Sequence, residues 1–284
     1  MALVPTAAIL DAAAGHAVLA FNVVQLEHAQ AIVAGAEAAG RAVVLQISEN
    51  CVRYHGALRP IALATLAVAE AAAVPVAVHL DHVESETLVT QGIRLGVGSV
   101  MFDASRSPYA ENVARTAAVV RQCHDAGVAV EAELGEIGGK DGVHAPGVRT
   151  DPAEAAAYAA ATGVDALAVA VGTSHAMVTK DAVLDLDLIA AIRAAVPVPL
   201  VLHGSSGVPE HDLAAAVAAG IRKVNIATHL NAVFTASVRA ALHETSTVDT
   251  RKYLGPARTA VAAEVSRLLG ALRAVPAQTI GTPA

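Results

Sequence analysis

Three histidines stand among acids and small residues in a pattern that suits a catalytic metal. They are His82 in His79-Leu80-Asp81-His82, His175 in Gly172-Thr173-Ser174-His175, and His203 in His203-Gly204-Ser205-Ser206-Gly207. A catalytic zinc takes three protein ligands and keeps one position open for substrate or water. Asp81 adjoins one candidate ligand and is placed to move a proton. Glu131-Ala132-Glu133 and Asn225-Ile226-Ala227-Thr228 add carboxylates, an amide and a hydroxyl. The stretch Gly204–Gly207 leads into a helix, where backbone N–H groups and Ser and Thr hydroxyls make an anion site without a basic cluster. A lone histidine at a strand end is more often a hydrogen-bonded packing residue. Three of them with an acid beside one weaken that reading.

These residues need elements that bring them together. Apolar runs alternate with Ala-rich stretches of helical spacing along the whole chain. Strands are expected near Val18–Val23, Ala42–Ile47, Pro75–Leu80, Ser99–Phe102, Ala129–Leu134, Ala166–Val171, Leu200–Leu202 and Arg222–Ile226. Helices are expected near Leu26–Ala39, Leu58–Ala73, Glu84–Leu95, Tyr109–Ala126, Asp151–Ala161, Asp185–Ala195, Pro209–Ala218 and Leu230–Leu242. Asp151-Pro152 carries an N-cap signal, and Gly40, Gly127, Gly163 and Gly220 fall where helices should stop. Eight βα units predict one (β/α)8 TIM barrel over residues 1–284, with an additional C-terminal helical element from Asp249 to about Ala274 and fraying beyond. The rival is an open doubly wound sheet, and no GxGxxG follows the first strand. In a barrel the strand ends that carry the polar residues share one mouth.

Composition excludes other classes. Of 284 residues, 55% are hydrophobic and 16% charged, which suits a large core and argues against disorder. Aromatics are 2%, so the core must be built from Ala, Val, Leu and Ile. The net charge of −7 and the lack of a basic patch exclude nucleic acid as a partner. Cys51 and Cys123 read as thiols in a reducing compartment. With neither a signal-peptide pattern nor a membrane-length apolar run, a soluble cytoplasmic protein is expected.

The motifs resemble the class II, metal-dependent fructose- and tagatose-bisphosphate aldolases. The matching pieces are Phe-Asn-Val at 21–23, His-Leu-Asp-His at 79–82, Val-Met-Phe-Asp-Ala-Ser at 100–105, Glu-Ala-Glu-Leu-Gly at 131–135, Ile-Gly-Gly at 137–139, Gly-Thr-Ser-His at 172–175, Leu-His-Gly-Ser-Ser-Gly at 202–207, Lys-Val-Asn-Ile-Ala-Thr at 223–228 and Arg-Lys-Tyr-Leu-Gly-Pro-Ala-Arg at 251–258. They follow the family order over most of the chain. The resemblance implies reversible cleavage of a ketose 1,6-bisphosphate, of fructose or tagatose type, to dihydroxyacetone phosphate and an aldehyde phosphate. It implies one Zn2+ per subunit on His82, His175 and His203, with Glu133 as an alternative ligand. Asp81 then handles the hydroxyl proton and Asn225 steadies the enediolate. Gly204, Ser206, Thr228 and Ser48 contact substrate or its phosphate, beside which family members often hold Na+ or K+. A homodimer or homotetramer is expected.

The chain also departs from the family. The stretch Glu133-Leu-Gly-Glu-Ile-Gly-Gly-Lys-Asp-Gly142 is one residue short, so the family's flexible-loop glutamate has no clear match, and whether Asp141 replaces it is left open. Ala176 replaces a usual glycine, and His229 stands where an acid is common. These changes keep open an inositol- or deoxy-sugar-derived phosphate as substrate, and a non-catalytic sugar-phosphate-binding barrel. A Schiff-base aldolase would need a lysine in the mouth, and Lys223 is the candidate expected to face inwards. His79 is expected as a structural partner of the site, and Asp103 as either a cation neighbour or a turn cap. Glu131 is expected to face away from Glu133 in a structural or salt-bridging role. His211 and His229 are expected at the surface or at caps. Arg251 and Arg258 are read either as phosphate contacts or as solvated residues of the tail helix.

Overall fold

Runs that are apolar at nearly every position need cover on both faces, and a parallel sheet wrapped by helices supplies it. The computed structural model describes residues 2–13, 16–134, 149–173, 180, 182–244 and 246–272. Its strands are β1 (Val18–Asn22), β2 (Val43–Ser48), β3 (Val76–Val83), β4 (Ser99–Phe102), β5 (Ala129–Glu133), β6 (Ala166–Ala168), β7 (Leu200–Leu202) and β8 (Ile221–Ile226). They pair in parallel in chain order, and β8 returns to β1 to close the barrel. The chain is thus a (β/α)8 TIM barrel with extra helix at its C-terminal end.

The helices are α1 (Thr6–Ala12), α2 (Leu26–Ala39), α3 (Glu49–His55), α4 (Leu58–Glu70), α5 (Glu86–Leu95), α6 (Tyr109–His124), α7 (Pro152–Thr162), α8 (Leu186–Ala195), α9 (Glu210–Ala219), α10 (Thr228–Glu244) and α11 (Arg251–Ala271). The Asp151 carboxylate accepts from the Ala153 and Glu154 N–H groups and so caps α7, as its sequence signal predicts. Gly163 ends the same helix at φ 71°, where a side chain would be strained. The tail helix α11 packs on α2 and α10 and buries Val261, Val265, Leu268 and Leu269. Gly35 permits that approach, because a Cβ there would lie 2.5 Å from the Ala262 carbonyl oxygen. Among the described residues, no helix is long and apolar enough to cross a membrane.

The outward faces of the strands and the inner faces of the helices share one large apolar cluster that includes Leu19, Phe21, Leu45, Leu80, Phe102, Leu167 and Leu202. The inside of the barrel differs along its axis. At one end Ile9 of α1 plugs it against Val18, Ala20, Val44 and Ala77. Towards the other end the inward positions turn polar, with Asn22, Gln46, His79, Asp81, Glu131, Glu133, His203, Lys223 and Asn225. Strand β6 faces the interior with Ala166 and Ala168, and Ala170 just beyond it joins them, packed with Val201. Ala166 and Ala168 pair in register with Glu131 and Glu133, so the small side chains leave volume for those long acids.

Three features differ from the sequence expectation. Helices α1 and α3 are seven residues each, too short to show a helical period. Strand β6 stops at Ala168, although Val169–Val171 remain buried beyond it. Strand β3 runs on to Val83 and therefore carries Asp81 and His82 within it.

Candidate active site and metal centre

Neighbouring residues on a regular strand point to opposite faces, so Asp81 and His82 should diverge. They do not, because the β3–β4 register shifts between Leu80 and Val83. His82 takes φ 48°, the only positive φ of a non-glycine among the described residues. Such backbone is uncommon for a non-glycine residue and costs on the order of 1–3 kcal/mol. The bulge bends the strand so that both side chains reach the mouth.

His82, Glu133 and His203 come together there, each offering a ligand atom within 4.8 Å of the others. The two imidazoles meet edge to face, with centroids 4.8 Å apart. Each is oriented by a buried carboxylate. His82 Nδ1 lies 2.8 Å from Asp103 Oδ2, and His203 Nε2 lies 3.0 Å from Glu131 Oε1. His203 Nδ1 faces Glu133 Oε2 at 3.3 Å. Two imidazoles and a carboxylate form a nitrogen–oxygen set that zinc accepts, and carboxylates behind ligating imidazoles are the usual support of such a site. The residues present therefore fit a zinc ion. Sequence reasoning proposed Glu133 as an alternative ligand, and the geometry groups it with both histidines. His175, Ala176 and Asp141 lie outside the described residues.

Asp81 is buried beside this trio. Asn22 Nδ2 donates to Asp81 Oδ2 at 2.9 Å, and Asn225 Nδ2 donates to Oδ1 at 3.4 Å. Gln46 Nε2 donates to Asn22 Oδ1 at 2.8 Å and so turns the Asn22 amide with its donor towards Asp81. Burial pushes the Asp81 carboxyl up, but His82, His203, His79 and Lys223 outweigh it and hold the pKa at about 2. A carboxylate kept ionised and oriented by two amides can accept a proton from a bound hydroxyl.

Under the trio lies a second buried layer. Lys223 Nζ meets Glu131 Oε2 at 2.7 Å, and Glu131 reaches His203. Glu131 does not face away from Glu133: residues two apart on a strand share a face, and both carboxylates meet His203. Its salt-bridging role is as expected. Burial raises the Glu131 carboxyl, and Lys223 first, then His203, bring it well below the usual range. Burial lowers His203, and its hydrogen bonds to Glu131 and Glu133 carry it up to about 9. His79 sits behind Asp81 with Nδ1 2.6 Å from Ser99 Oγ, a structural partner as expected. Its burial, aided by Lys223, depresses its pKa to about 3, so this ring is neutral.

The candidate anion site follows β7. Gly204 has φ 66° and opens a 3₁₀ turn, Ser205–Gly207. Ser205 Oγ donates to the Asn225 carbonyl, which ties this turn to β8. Ser206 Oγ accepts from the His229 N–H at 3.3 Å, and Thr228 is the first residue of α10. A small, open cleft is lined by Ser205, Ser206, His229 and Lys180 among others. Ser48 stands at the mouth end of β2, in register with Asp81, and caps α3 by accepting from the Cys51 N–H at 3.2 Å. His229 is held by Glu264, as a surface partner rather than a ligand, and His211 is exposed. Arg251 pairs with Asp249 and Arg258 with Gln30, both in exposed settings. Asp103 is a turn cap, accepting from Ser105, and also the partner of His82, a role its sequence context did not signal. Asn22 and Gln46 stand at polar ends of apolar strands, and that is the one signal the sequence carries for them.

A family model described as fructose-bisphosphate aldolase class II matches residues 4–275. Among solved structures, the YdjI aldolase from Escherichia coli K12 is 28% identical with a TM-score of 0.82, covering 96% of this chain and 98% of that one. A candidate fructose-1,6-bisphosphate aldolase from Coccidioides immitis is 26% identical with a TM-score of 0.85, covering 95% and 96%. The fructose-bisphosphate aldolase of Campylobacter jejuni, at 21% identity and a TM-score of 0.79 over 96% of both chains, shares the fold.

Proposed function

As the chain belongs to the class II fructose-bisphosphate aldolase family, we propose that it is a zinc-dependent aldolase that reversibly cleaves a ketose 1,6-bisphosphate. The products would be dihydroxyacetone phosphate and an aldehyde phosphate. The observation that carries this reading is the convergence of His82, Glu133 and His203 donors within 4.8 Å, beside the buried carboxylate of Asp81. His82 and His203, with His175, would hold the ion, and Glu133 would serve as an alternative ligand. Bound there, zinc would supply Lewis-acid stabilisation of charge developing at the substrate carbonyl.

The remaining work falls to the protein. Asp81 takes the proton of the hydroxyl on the departing side and returns it in the synthetic direction. Its two amide partners keep the carboxylate aimed while that proton moves. The Asn225 amide, which also donates to Asp81, would steady the enediolate oxygen. Gly204, Ser206 and Thr228 bind the phosphate of the dihydroxyacetone half through backbone N–H groups and hydroxyls, and Ser48 contacts substrate from β2. A Na+ or K+ ion beside that phosphate belongs to the same proposal.

A Schiff-base route through Lys223 has less support, because its Nζ is committed to Glu131 at 2.7 Å in the second layer of the barrel. Borohydride with substrate should trap no adduct. The test is coupled cleavage over a panel of ketose phosphates, fructose and tagatose 1,6-bisphosphates included, with and without chelator. Activity should vanish on chelation and return with Zn2+ or Co2+. Full turnover in a chelator-treated, metal-free preparation would defeat the proposal.

A further inference from the structure

Glu131 stands between two groups that both demand an acceptor. His203 Nε2 lies 3.0 Å from Oε1, and Lys223 Nζ lies 2.7 Å from Oε2. All three side chains are 4% exposed or less, so water cannot substitute for either contact. An ionised carboxylate only accepts, and an ammonium only donates. Glu131 can therefore satisfy both neighbours at once, and in doing so it holds a hydrogen on His203 Nε2, whether or not Nδ1 carries one. The other nitrogen, Nδ1, then faces Glu133 and the trio.

We infer that Glu131 and Lys223 form a tautomer lock, in which Glu131 is a positioning residue that keeps His203 Nδ1 available to a metal and Lys223 fixes how Glu131 presents its oxygens. The inference rests on the reading of His82, Glu133 and His203 as metal ligands. It concerns hydrogen-bond direction at Nε2 and does not depend on what Nδ1 carries before metal binds. The alanines of β6 opposite the two acids leave this layer room to form.

The lock has a consequence that charge or packing alone would not produce. Glu131→Gln offers one acceptor and one donor. Lys223 cannot accept, so it claims the amide oxygen and turns the amide NH2 towards His203. A donor then faces Nε2, which must keep its hydrogen when Nδ1 binds metal. Two buried donors oppose each other, and the metal-bound form is disfavoured. Adding Lys223→Met removes the competing demand. The amide is free to turn its oxygen to His203 and the proper tautomer returns.

The test titrates zinc into metal-free, full-length protein against a chromophoric chelator, with circular dichroism melts to confirm that each variant is folded. Wild type should bind one zinc tightly. E131Q should bind it ~10–100-fold more weakly, the range for loss of a carboxylate behind a ligating imidazole. The pair E131Q/K223M should recover much of that affinity although it carries more substitutions. If the wild type binds no zinc, the metal reading falls and the lock with it. If the wild type binds zinc but E131Q matches it, or the double variant binds no better than E131Q, the lock alone is overturned.

Discussion

Replacing Asp81 with Asn isolates the proposed base, because the two side chains have nearly the same shape. Asp81 receives Asn22 at 2.9 Å and Asn225 at 3.4 Å. An amide can offer only one oxygen to these two donors. The shorter Asn22 contact, fixed by Gln46, should keep it, so the new NH2 faces Asn225. One poorly paired buried donor costs about 1–3 kcal/mol of stability. The rate should suffer more. General-base catalysis is worth ~10²–10⁴-fold, or about 2.7–5.4 kcal/mol of barrel-mouth barrier height. Zinc content should stay stoichiometric, because Asp81 is not one of the three grouped ligand residues. The pH dependence adds a check. With its pKa held at about 2, wild-type Asp81 is ionised throughout the neutral range, and the ratio of D81N to wild-type kcat should be flat there. The assay is coupled cleavage with metal analysis of the same samples. Wild-type turnover by D81N, or slow turnover accompanied by loss of zinc, would refute the assignment of Asp81 as the base.

Three further predictions concern stability. Glu264 accepts from Arg267 and from His229, and these hydrogen bonds, led by Arg267 and opposed by partial burial, pull its pKa from 4.5 to about 2. A depressed carboxyl contributes stability above its unfolded pKa and loses it as acid protonates the folded form. The melting temperature of E264Q should thus lie below wild type at neutral pH, and the gap should close as pH falls from 4.5 towards 2; a gap that stays constant with pH would contradict the pairing. Gly172 has φ 122°, and a Cβ there would lie 2.1 Å from the Val183 carbonyl oxygen, so G172A should lose at least the ~1–3 kcal/mol of backbone strain in urea unfolding. Gly270, on the exposed side of α11 with nothing within 4 Å, should instead gain roughly 0.5–1 kcal/mol as G270A.

What the sequence announces, and what it hides, divides along a physical line. The eight strands were legible because burial on both faces leaves apolar runs, such as Ala166–Val171, that few other elements require. The strand ends were legible because His, Asp and Asn interrupt those runs. Short helices such as α3 depend on one cap, Ser48 Oγ to the Cys51 N–H, and carry no period to read. The joint presence of Asp81 and His82 at the mouth runs against local alternation, and only the bulge against β4 reconciles them. For Glu131 the local rule was sufficient, since a spacing of two puts it on the face of Glu133. Its partners were not readable: His203 is 72 residues away and Lys223 is 92. Asp103, 21 residues from His82, is the same case. Candidate ligand histidines declare themselves by type, whereas the acids and the lysine behind them have the types of surface residues until barrel closure withdraws them from water. A buried charge persists only when paired, so closure itself selects which acid stands behind which imidazole. On the proposed lock, the directions of those hydrogen bonds, more than the list of ligands, would then decide whether the mouth can accept a metal.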